Sequence, residues 1–427
     1  MNGENGERIV KTIEAQNRWR SETINLIASE NSLSKRVRSC LGSDFAHRYA
    51  EGHPGKRYYQ GTKYIDEIEA LVEEQLKTLF GCLNIDVRAT SGTVANDAVF
   101  SRFIKPGDIV MVNSTSGGGH ISHHRFGSVG KYTSNIINFP LSEDGYHVDV
   151  KETLKILERV PVKVMVMGKS LYLFPDPVKE LAPVCREKKI ALIYDAAHVL
   201  GLIAGKQFHN PLKEGAQVIT GSTHKTFFGT QRGLVYSDLV EQEWSTVEKG
   251  VFPGSTSNHH LDTLAGLAIA VYEFMEYGEA YAAQVVKNAK AFGKALDQRG
   301  FKVDAQKFGY TESHQIAVNV KELGGGSEVA KKLEQNNIIC NFNLLPSDPL
   351  GKVMNPSGLR LGVQEMTRFG MKEKEMDAIA EFFKQCLMEQ KNVGDEVREF
   401  RKEYQVVHYS FDPDYLKLSG AKAKSKA

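Results

Sequence analysis

The run Gln217-Val218-Ile219-Thr220-Gly221-Ser222-Thr223-His224-Lys225-Thr226-Phe227-Phe228-Gly229 sets one lysine among hydroxyls and an imidazole, just past a short apolar stretch. Residues 217–220 are predicted to form a buried strand and residues 233–236 another, so Lys225 falls on the connection between them. A lysine shielded at a strand end gives up its proton more readily than one in solvent, and the free amine is then a nucleophile toward an aldehyde. Lys225 is therefore read as the amine that holds an aldehyde cofactor. Most lysines are solvated surface charges, so the reading depends on what the rest of the chain places beside it.

Upstream, residues 109–112, 162–167 and 190–194 are apolar runs of strand length, separated by helical patterns at 150–158 and 177–188. Strand and helix in alternation imply a mostly parallel sheet covered on both faces, with ligands gathered outside the carboxyl ends of the strands. Those ends are polar here. After Val112 comes Gly117-Gly118-Gly119-His120-Ile121-Ser122-His123-His124, where backbone can approach a ligand closely and an imidazole offers a flat surface. Three histidines invite a metal, but no paired carboxylate motif accompanies them, and no metal site is expected. After Met167 comes Gly168-Lys169-Ser170, and after Tyr194 comes Asp195-Ala196-Ala197-His198. A carboxylate just past a buried strand can pair with a protonated ring nitrogen and keep that ring electron-withdrawing; it can equally cap a helix. Asp195 precedes Lys225 by one supersecondary unit, so both can end on one edge of the sheet, as pyridoxal phosphate chemistry requires.

Toward the N-terminus, residues 7–20 carry Ile9, Val10 and Ile13 at helical spacing, which suggests an arm helix that docks on something else, or a frayed terminus. The stretch from His47 to Gly61 combines glycine and proline with Tyr49, Tyr58, Tyr59, Glu51 and three basic residues, a set of proton donors and charges that fits a binding or catalytic loop. Residues 64–80 follow the 3.6-residue period and are predicted to form a core-facing helix closed by Gly81. Thr90-Ser91-Gly92-Thr93 opens a further amphipathic helix reaching Phe103, and a small-residue turn there suits a bound phosphate or a simple cap.

Beyond a long helical stretch at 260–295 the pattern changes to a smaller α+β domain, with strands expected at 315–320 and 338–340. Within it Asn355-Pro356-Ser357-Gly358-Leu359-Arg360-Leu361-Gly362 holds an arginine in an extended apolar setting, a natural bidentate partner for a substrate carboxylate. The division expected is an arm helix over 1–24, a large cofactor-binding domain over 25–265, a small domain over 266–416 and a disordered tail over 417–427.

The 427 residues allow two or three domains, and 54 basic against 52 acidic side chains give no electrostatic case for nucleic acid or a membrane surface. Five cysteines, scattered and without a C-x-x-C pair, read as reduced thiols. With no apolar leader and no apolar run of the ~20 residues a membrane span needs, a cytoplasmic protein is expected.

Taken together, Ser29-Glu30-Asn31, Tyr49-Ala50-Glu51-Gly52 with Pro54-Gly55-Lys56-Arg57-Tyr58-Tyr59, Ser91-Gly92-Thr93-Val94-Ala95-Asn96, Asp195-Ala196-Ala197-His198, Thr223-His224-Lys225-Thr226 and Gly358-Leu359-Arg360-Leu361-Gly362 resemble serine hydroxymethyltransferase, most closely its archaeal branch. The similarity runs from about Asn25 to about Gln390. The resemblance implies a fold-type I pyridoxal 5'-phosphate-dependent transferase, α/β in class, moving a one-carbon unit between serine and a reduced pterin, either tetrahydrofolate or a methanopterin-type carrier.

It makes Lys225 the cofactor-bearing lysine, Asp195 the partner of the ring nitrogen, His120 the stacking ring and His198 the partner of the phenolic oxygen. Ser91, Gly92 and Thr93, with His224, would hold the phosphate, and Ser170 would add a cofactor contact. Tyr49 and Gly254 would reach in from a neighbouring subunit of a homodimer with active sites at its interface. Arg360 and Ser29 would bind the substrate carboxylate, Glu51 and Tyr59 would move protons near the serine hydroxyl, and Ile121 and Asn343 would face the pterin. Many members read Gly-Pro-Arg-Gly-Gly after the lysine, whereas this chain reads Gly229-Thr230-Gln231-Arg232-Gly233, so no role carries over to Arg232. Two rivals stand beside the transferase: a pterin-independent aldolase cleaving β-hydroxy amino acids of the allo-threonine type, and a binding protein that keeps the fold without the chemistry. Glu51 and the Tyr58-Tyr59 pair favour the transferase over the aldolase. An activated amine has no use in a mere binding module.

Overall fold

Seven strands form the central sheet of the computed structural model, which describes residues 3–349 and 351–420. In chain order they are β1 (Asn84–Asp86), β2 (Ile109–Val112), β3 (Ile136–Asn138), β4 (Val162–Met167), β5 (Ala191–Asp195), β6 (Val218–Ser222) and β7 (Gly233–Ser237). Across the sheet they run β1-β7-β6-β5-β4-β2-β3. Neighbours from β6 to β3 are parallel, as expected, while β7 is antiparallel to both β6 and β1. Parallel strands covered on both faces need near-continuous apolar runs, and Val110–Val112, Val164–Met167 and Leu192–Tyr194 are buried throughout. The antiparallel β7 has a local cause. A parallel return needs a crossover, usually helical, and residues 223–232 contain no helix. They loop back instead, and Lys225 sits on that loop.

The helices expected from periodicity are present. Helix α1 (Gly3–Ser21) is exposed along almost its whole described length, with Ile9, Val10 and Ile13 open to solvent. Helix α2 (Lys63–Phe80) buries Ile65, Val72, Leu76 and Phe80 and stops at Gly81, whose φ of 62° is the left-handed value that glycine adopts without strain. Helix α3 (Gly92–Phe103) is capped by Ser91, whose Oγ accepts from Val94 N. Helix α4 (Leu261–Gln298) packs on α2 at one part of its length and on α5 (Glu373–Leu387) at another, so it bridges the central sheet's layer and the C-terminal layer.

The second sheet is antiparallel, with β8 (Lys302–Val303), β9 (Gln315–Asn319), β10 (Asn341–Asn343) and β11 (Gly358–Gly362) in the order β8-β9-β11-β10. The chain just before Ser29, which the sequence suggested as the start of the large domain, is held by this C-terminal layer. Ile24–Asn25 pairs with Ile338–Ile339, and Gly362 N donates to Leu26 O at 2.8 Å. Lys417, Leu418 and Ser419, expected in a disordered tail, form the end of the helix Pro413–Ser419, because Pro413 fixes its first turn; residues 421–427 lie outside those described. Among the described residues no helix is long and apolar enough to cross a membrane.

Candidate active site

Lys225 follows β6 and Asp195 ends the neighbouring β5, so both reach the carboxyl edge of the central sheet. Lys225 Nζ donates to Ser222 Oγ at 3.0 Å. Burial brings the lysine pKa down to about 8; Asp195 opposes that and the Arg360 guanidinium adds to it. About a tenth of the amine is therefore free of its proton at pH 7, against about a thousandth or less for an ordinary lysine, and the free form is the one that attacks a carbonyl.

The Asp195 carboxylate is held ionised. Burial alone would raise its pKa, but His123 and Asn96 more than offset this and bring it well below the usual carboxylate range. Asn96 Nδ2 donates to Asp195 Oδ2 at 2.7 Å, and His123 Nε2 lies 3.0 Å from the same oxygen. Thr220 donates its hydroxyl proton to Asn96 Oδ1 at 2.6 Å, which fixes the amide so that its NH2 faces the aspartate. Asp195 Oδ1 accepts from Ala197 N at 2.9 Å, so the carboxylate ties its own turn and does not cap the next helix, Leu200–Ala204. Gly168 permits that turn. Its φ is 107°, and a Cβ there would stand 2.1 Å from Asp195 O.

Around these two groups lies a cavity lined by Ser91, Gly92 and Thr93, by His120, Asp195 and His198, and by His224 and Lys225. The N-terminus of α3 opens onto it, and unpaired backbone N–H groups at a helix start favour an anion. Among the described residues, His224 Nδ1 is a buried atom without a partner. Burial lowers the pKa of His120 and of His224 to about 4, so both rings are neutral at pH 7. His120 Nδ1 is 2.7 Å from Ser122 Oγ, which fixes the ring plane. His198 Nδ1 meets Gln315 Nε2 at 2.9 Å, and burial keeps its pKa well below the ordinary value.

Arg360, on β11, enters from the second sheet. Its Nη1 donates to Ser170 Oγ at 2.7 Å and to Ser170 O at 3.0 Å, while Nε and Nη2 each lie 3.2 Å from Asn341 Oδ1. All these partners are neutral, so the buried guanidinium retains its capacity for a carboxylate. Ser29 is half-buried and follows Ala28, whose carbonyl lies 3.1 Å from His314 Nε2. Ser170, expected at the cofactor, lines a second and larger cavity of about 810 Å³ that shares His120 with the first and is also lined by Ile121 and Asn343.

Tyr49, Glu51, Tyr59 and Gly254 do not line the Lys225 cavity of their own chain. Tyr49 and Tyr59 are 52% and 41% exposed, with ring centroids 5.4 Å apart. Glu51 accepts from the Ser257 hydroxyl, three residues past Gly254, and its charge raises the Tyr59 phenol pKa so that the phenol keeps its proton. Tyr49, Glu51 and Tyr59 thus form one partly exposed group, and Gly254 is exposed on the segment that supplies Ser257.

Several residues of the site escaped the sequence reading. Asn96 and Ser222 lay inside motifs that drew notice for other members, and His123 stood three residues after the histidine that was chosen. Arg232, which had no assigned role, is fully buried and spans two segments: Nη2 donates to Val87 O at 2.6 Å, and Nη1 to His260 O and Thr263 Oγ1, each at 2.8 Å.

The cavity fits pyridoxal phosphate. Gly92 leaves room that a side chain would fill, since a Cβ there would lie 2.2 Å from Ser222 Oγ. A helix start and an imidazole nitrogen without a partner among the described residues suit a phosphate, an ionised carboxylate suits a protonated ring nitrogen, and a buried amine suits an aldehyde.

A family model described as serine hydroxymethyltransferase matches residues 3–383. A serine hydroxymethyltransferase of Saccharolobus islandicus is 49% identical over 410 residues, covering 95% of this chain and 94% of its own length. Those of Pyrococcus abyssi and Archaeoglobus fulgidus are 50% and 49% identical over 413 residues, covering 95% and 96% of this chain and 97% and 93% of their own lengths. Among solved structures, an L-threonine transaldolase from Pseudomonas fluorescens superposes with a TM-score of 0.86 at 26% identity, over 99% of this chain and 98% of the other.

Proposed function

The chain belongs to the serine hydroxymethyltransferase family, and from that premise we propose that it binds pyridoxal phosphate at Lys225 and moves a hydroxymethyl unit between serine and a reduced pterin, leaving glycine. The observation that carries the reading is one cavity lined by a buried lysine amine, a helix N-terminus and a doubly hydrogen-bonded carboxylate.

Pyridoxal phosphate, when bound, supplies a cationic ring that withdraws electrons from the substrate α-carbon and so stabilises negative charge there. Asp195 keeps a proton on the ring nitrogen, because its own carboxylate is held too acidic to take that proton away. Neutral His120 would stack on the ring. Ser91, Gly92, Thr93 and His224 would hold the phosphate, and His198 would donate to the phenolic oxygen. Arg360 takes the serine carboxylate in a bidentate pair, with Ser29 beside it, exchanging a neutral contact for a charged one. Glu51 and Tyr59 handle the proton of the serine hydroxyl.

The reduced pterin, of tetrahydrofolate or methanopterin type, occupies the larger cavity bounded by Ile121 and Asn343. The partly exposed group of Tyr49, Glu51, Tyr59 and Gly254, with the exposed apolar face of α1, supports a homodimer in which those residues serve the partner's site. The five unpaired thiols fit a cytoplasmic setting.

The test is direct. The purified protein should be yellow, glycine should shift its absorption, and Lys225→Ala should abolish turnover while the cofactor still binds without a covalent bond. Serine-to-glycine turnover, followed with tetrahydrofolate and with a methanopterin-type carrier, should respond to one of them. Glycine formation indifferent to every pterin would replace the transferase by the aldolase.

A further inference from the structure

Gln315 opens β9 and is fully buried. The two ends of a side-chain amide are alike in shape and opposite in chemistry, so its orientation must be read from its partners. Tyr172 N lies 2.8 Å from Gln315 Oε1. A backbone N–H can only donate, which makes that end the oxygen. Nε2 then faces three candidate acceptors: Ser170 O at 3.0 Å, His198 Nδ1 at 2.9 Å and His314 Nε2 at 3.2 Å.

The amide has two hydrogens to give. His314 Nε2 is 3.1 Å from Ala28 O, which can only accept, so that nitrogen carries a proton and cannot take another from the amide. The two amide hydrogens therefore go to Ser170 O and His198 Nδ1. A neutral His198 ring with Nδ1 accepting must carry its proton on Nε2, the edge away from Gln315.

Gln315 also shares a partner with the substrate arginine. In the pairing of β9 with β11, Gln315 stands opposite Gly362 and Ala317 opposite Arg360, so Gln315 and Arg360 project from one face of the sheet. Both donate to the Ser170 carbonyl.

We propose that Gln315 is a positioning residue for the reaction: it fixes His198 as an Nε2–H donor toward the phenolic oxygen of the cofactor and, through Ser170, holds that ring and the Arg360 guanidinium in one frame. The proposal rests on reading the Lys225 cavity as the pyridoxal phosphate site.

Nitrogen-15 spectra of histidine-labelled protein, cofactor-loaded and cofactor-free, test it, with His198 assigned by the signals lost in His198→Asn. The parent should show Nδ1 unprotonated and Nε2 protonated. Gln315→Glu keeps the shape but turns the donor into an acceptor, so it should move the His198 proton to Nδ1. It should also shift the absorption maximum of the bound cofactor and weaken cofactor affinity, by roughly 10-fold if outer partners of a working histidine set the scale. Gln315→Met, which keeps the volume and removes both donors, should give a mixture of tautomers.

A merely structural role would lower the stability of both variants and leave the tautomer and the absorption unchanged, and that result would overturn the proposal. So would a parent spectrum with Nδ1 protonated, a measurement that needs no variant to fold. A protein with the expected His198 spectrum that takes up no pyridoxal phosphate would uphold the tautomer assignment and remove the cofactor reading, so the two failures are distinct.

Discussion

Gly92 and Ser222 stand so close that a Cβ on Gly92 would lie 2.2 Å from the Ser222 hydroxyl oxygen. That oxygen accepts from Lys225 Nζ, so the start of α3 and the amine share one neighbour. Gly92→Ala must turn Ser222 away or push the helix N-terminus back. Either response disturbs both ends of the cofactor site. The expected outcome is about a tenfold rise in the pyridoxal phosphate dissociation constant, equivalent to ~1.4 kcal/mol, with a loss of folding stability of about 1–3 kcal/mol typical of overpacking. Cofactor titration and thermal unfolding measure the two separately.

The Lys225 amine gives a pH-dependent signature. Its folded pKa is about 8, below the ordinary value of 10.5, so between those values the unfolded chain binds a proton that the folded chain does not. Stability therefore rises with pH across that window. Below pH 8 both states are protonated, and the cost of burying the charge is present in full. In cofactor-free protein, Lys225→Met removes that cost and should stabilise the fold at pH 7 by roughly 2 kcal/mol, allowing for water in the cavity. The advantage should fade by pH 10.5. Urea unfolding of both proteins at the two pH values checks it; a variant less stable than the parent at pH 7 would show that the Ser222 hydrogen bond outweighs the buried charge.

Arg232 holds the chain leading into the Ser91 turn to the start of α4, through Val87 O on one side and His260 O and Thr263 Oγ1 on the other. Arg232→Leu leaves those buried acceptors without a donor, which costs about 3 kcal/mol or more. The melting temperature should fall, and cofactor affinity with it, since the phosphate turn loses its anchor. An unchanged melting temperature with lost activity would instead place the arginine in the chemistry.

These residues show where sequence reading reaches and where it stops. Lys225 and Asp195 were legible because apolar strands end where polar residues begin, and parallel neighbours end on one edge of the sheet. The antiparallel return of β7 was not legible, since a short buried strand has the same composition in either direction. The partners of Asp195 were hidden for a different reason. His123 reaches it from a loop 72 residues away in sequence, and nothing in local periodicity encodes which of the three histidines in that loop turns toward Asp195. Gln315 opens a strand pattern as one polar residue among several, and only its contacts with Tyr172, Ser170 and His198 separate it from a buried side chain of no consequence.

The group formed by Tyr49, Glu51, Tyr59 and Gly254 makes the last prediction, because it is partly exposed and lines no part of its own Lys225 cavity. If these residues serve the partner's site, a site needs Lys225 from one chain and Glu51 from the other. Lys225→Ala and Glu51→Gln homodimers should each be nearly inactive. In a hybrid, the site built on the Lys225-bearing chain receives its Glu51 from the other chain and is intact, whereas the second site lacks both. Statistical mixing makes about half the dimers hybrid, each with one working site of two, so unfolding and refolding an equimolar mixture should recover roughly a quarter of parental activity. Were both residues to act within one chain, no mixture would recover anything. Serine-to-glycine turnover before and after co-refolding, with each variant refolded alone as control, decides between the two arrangements.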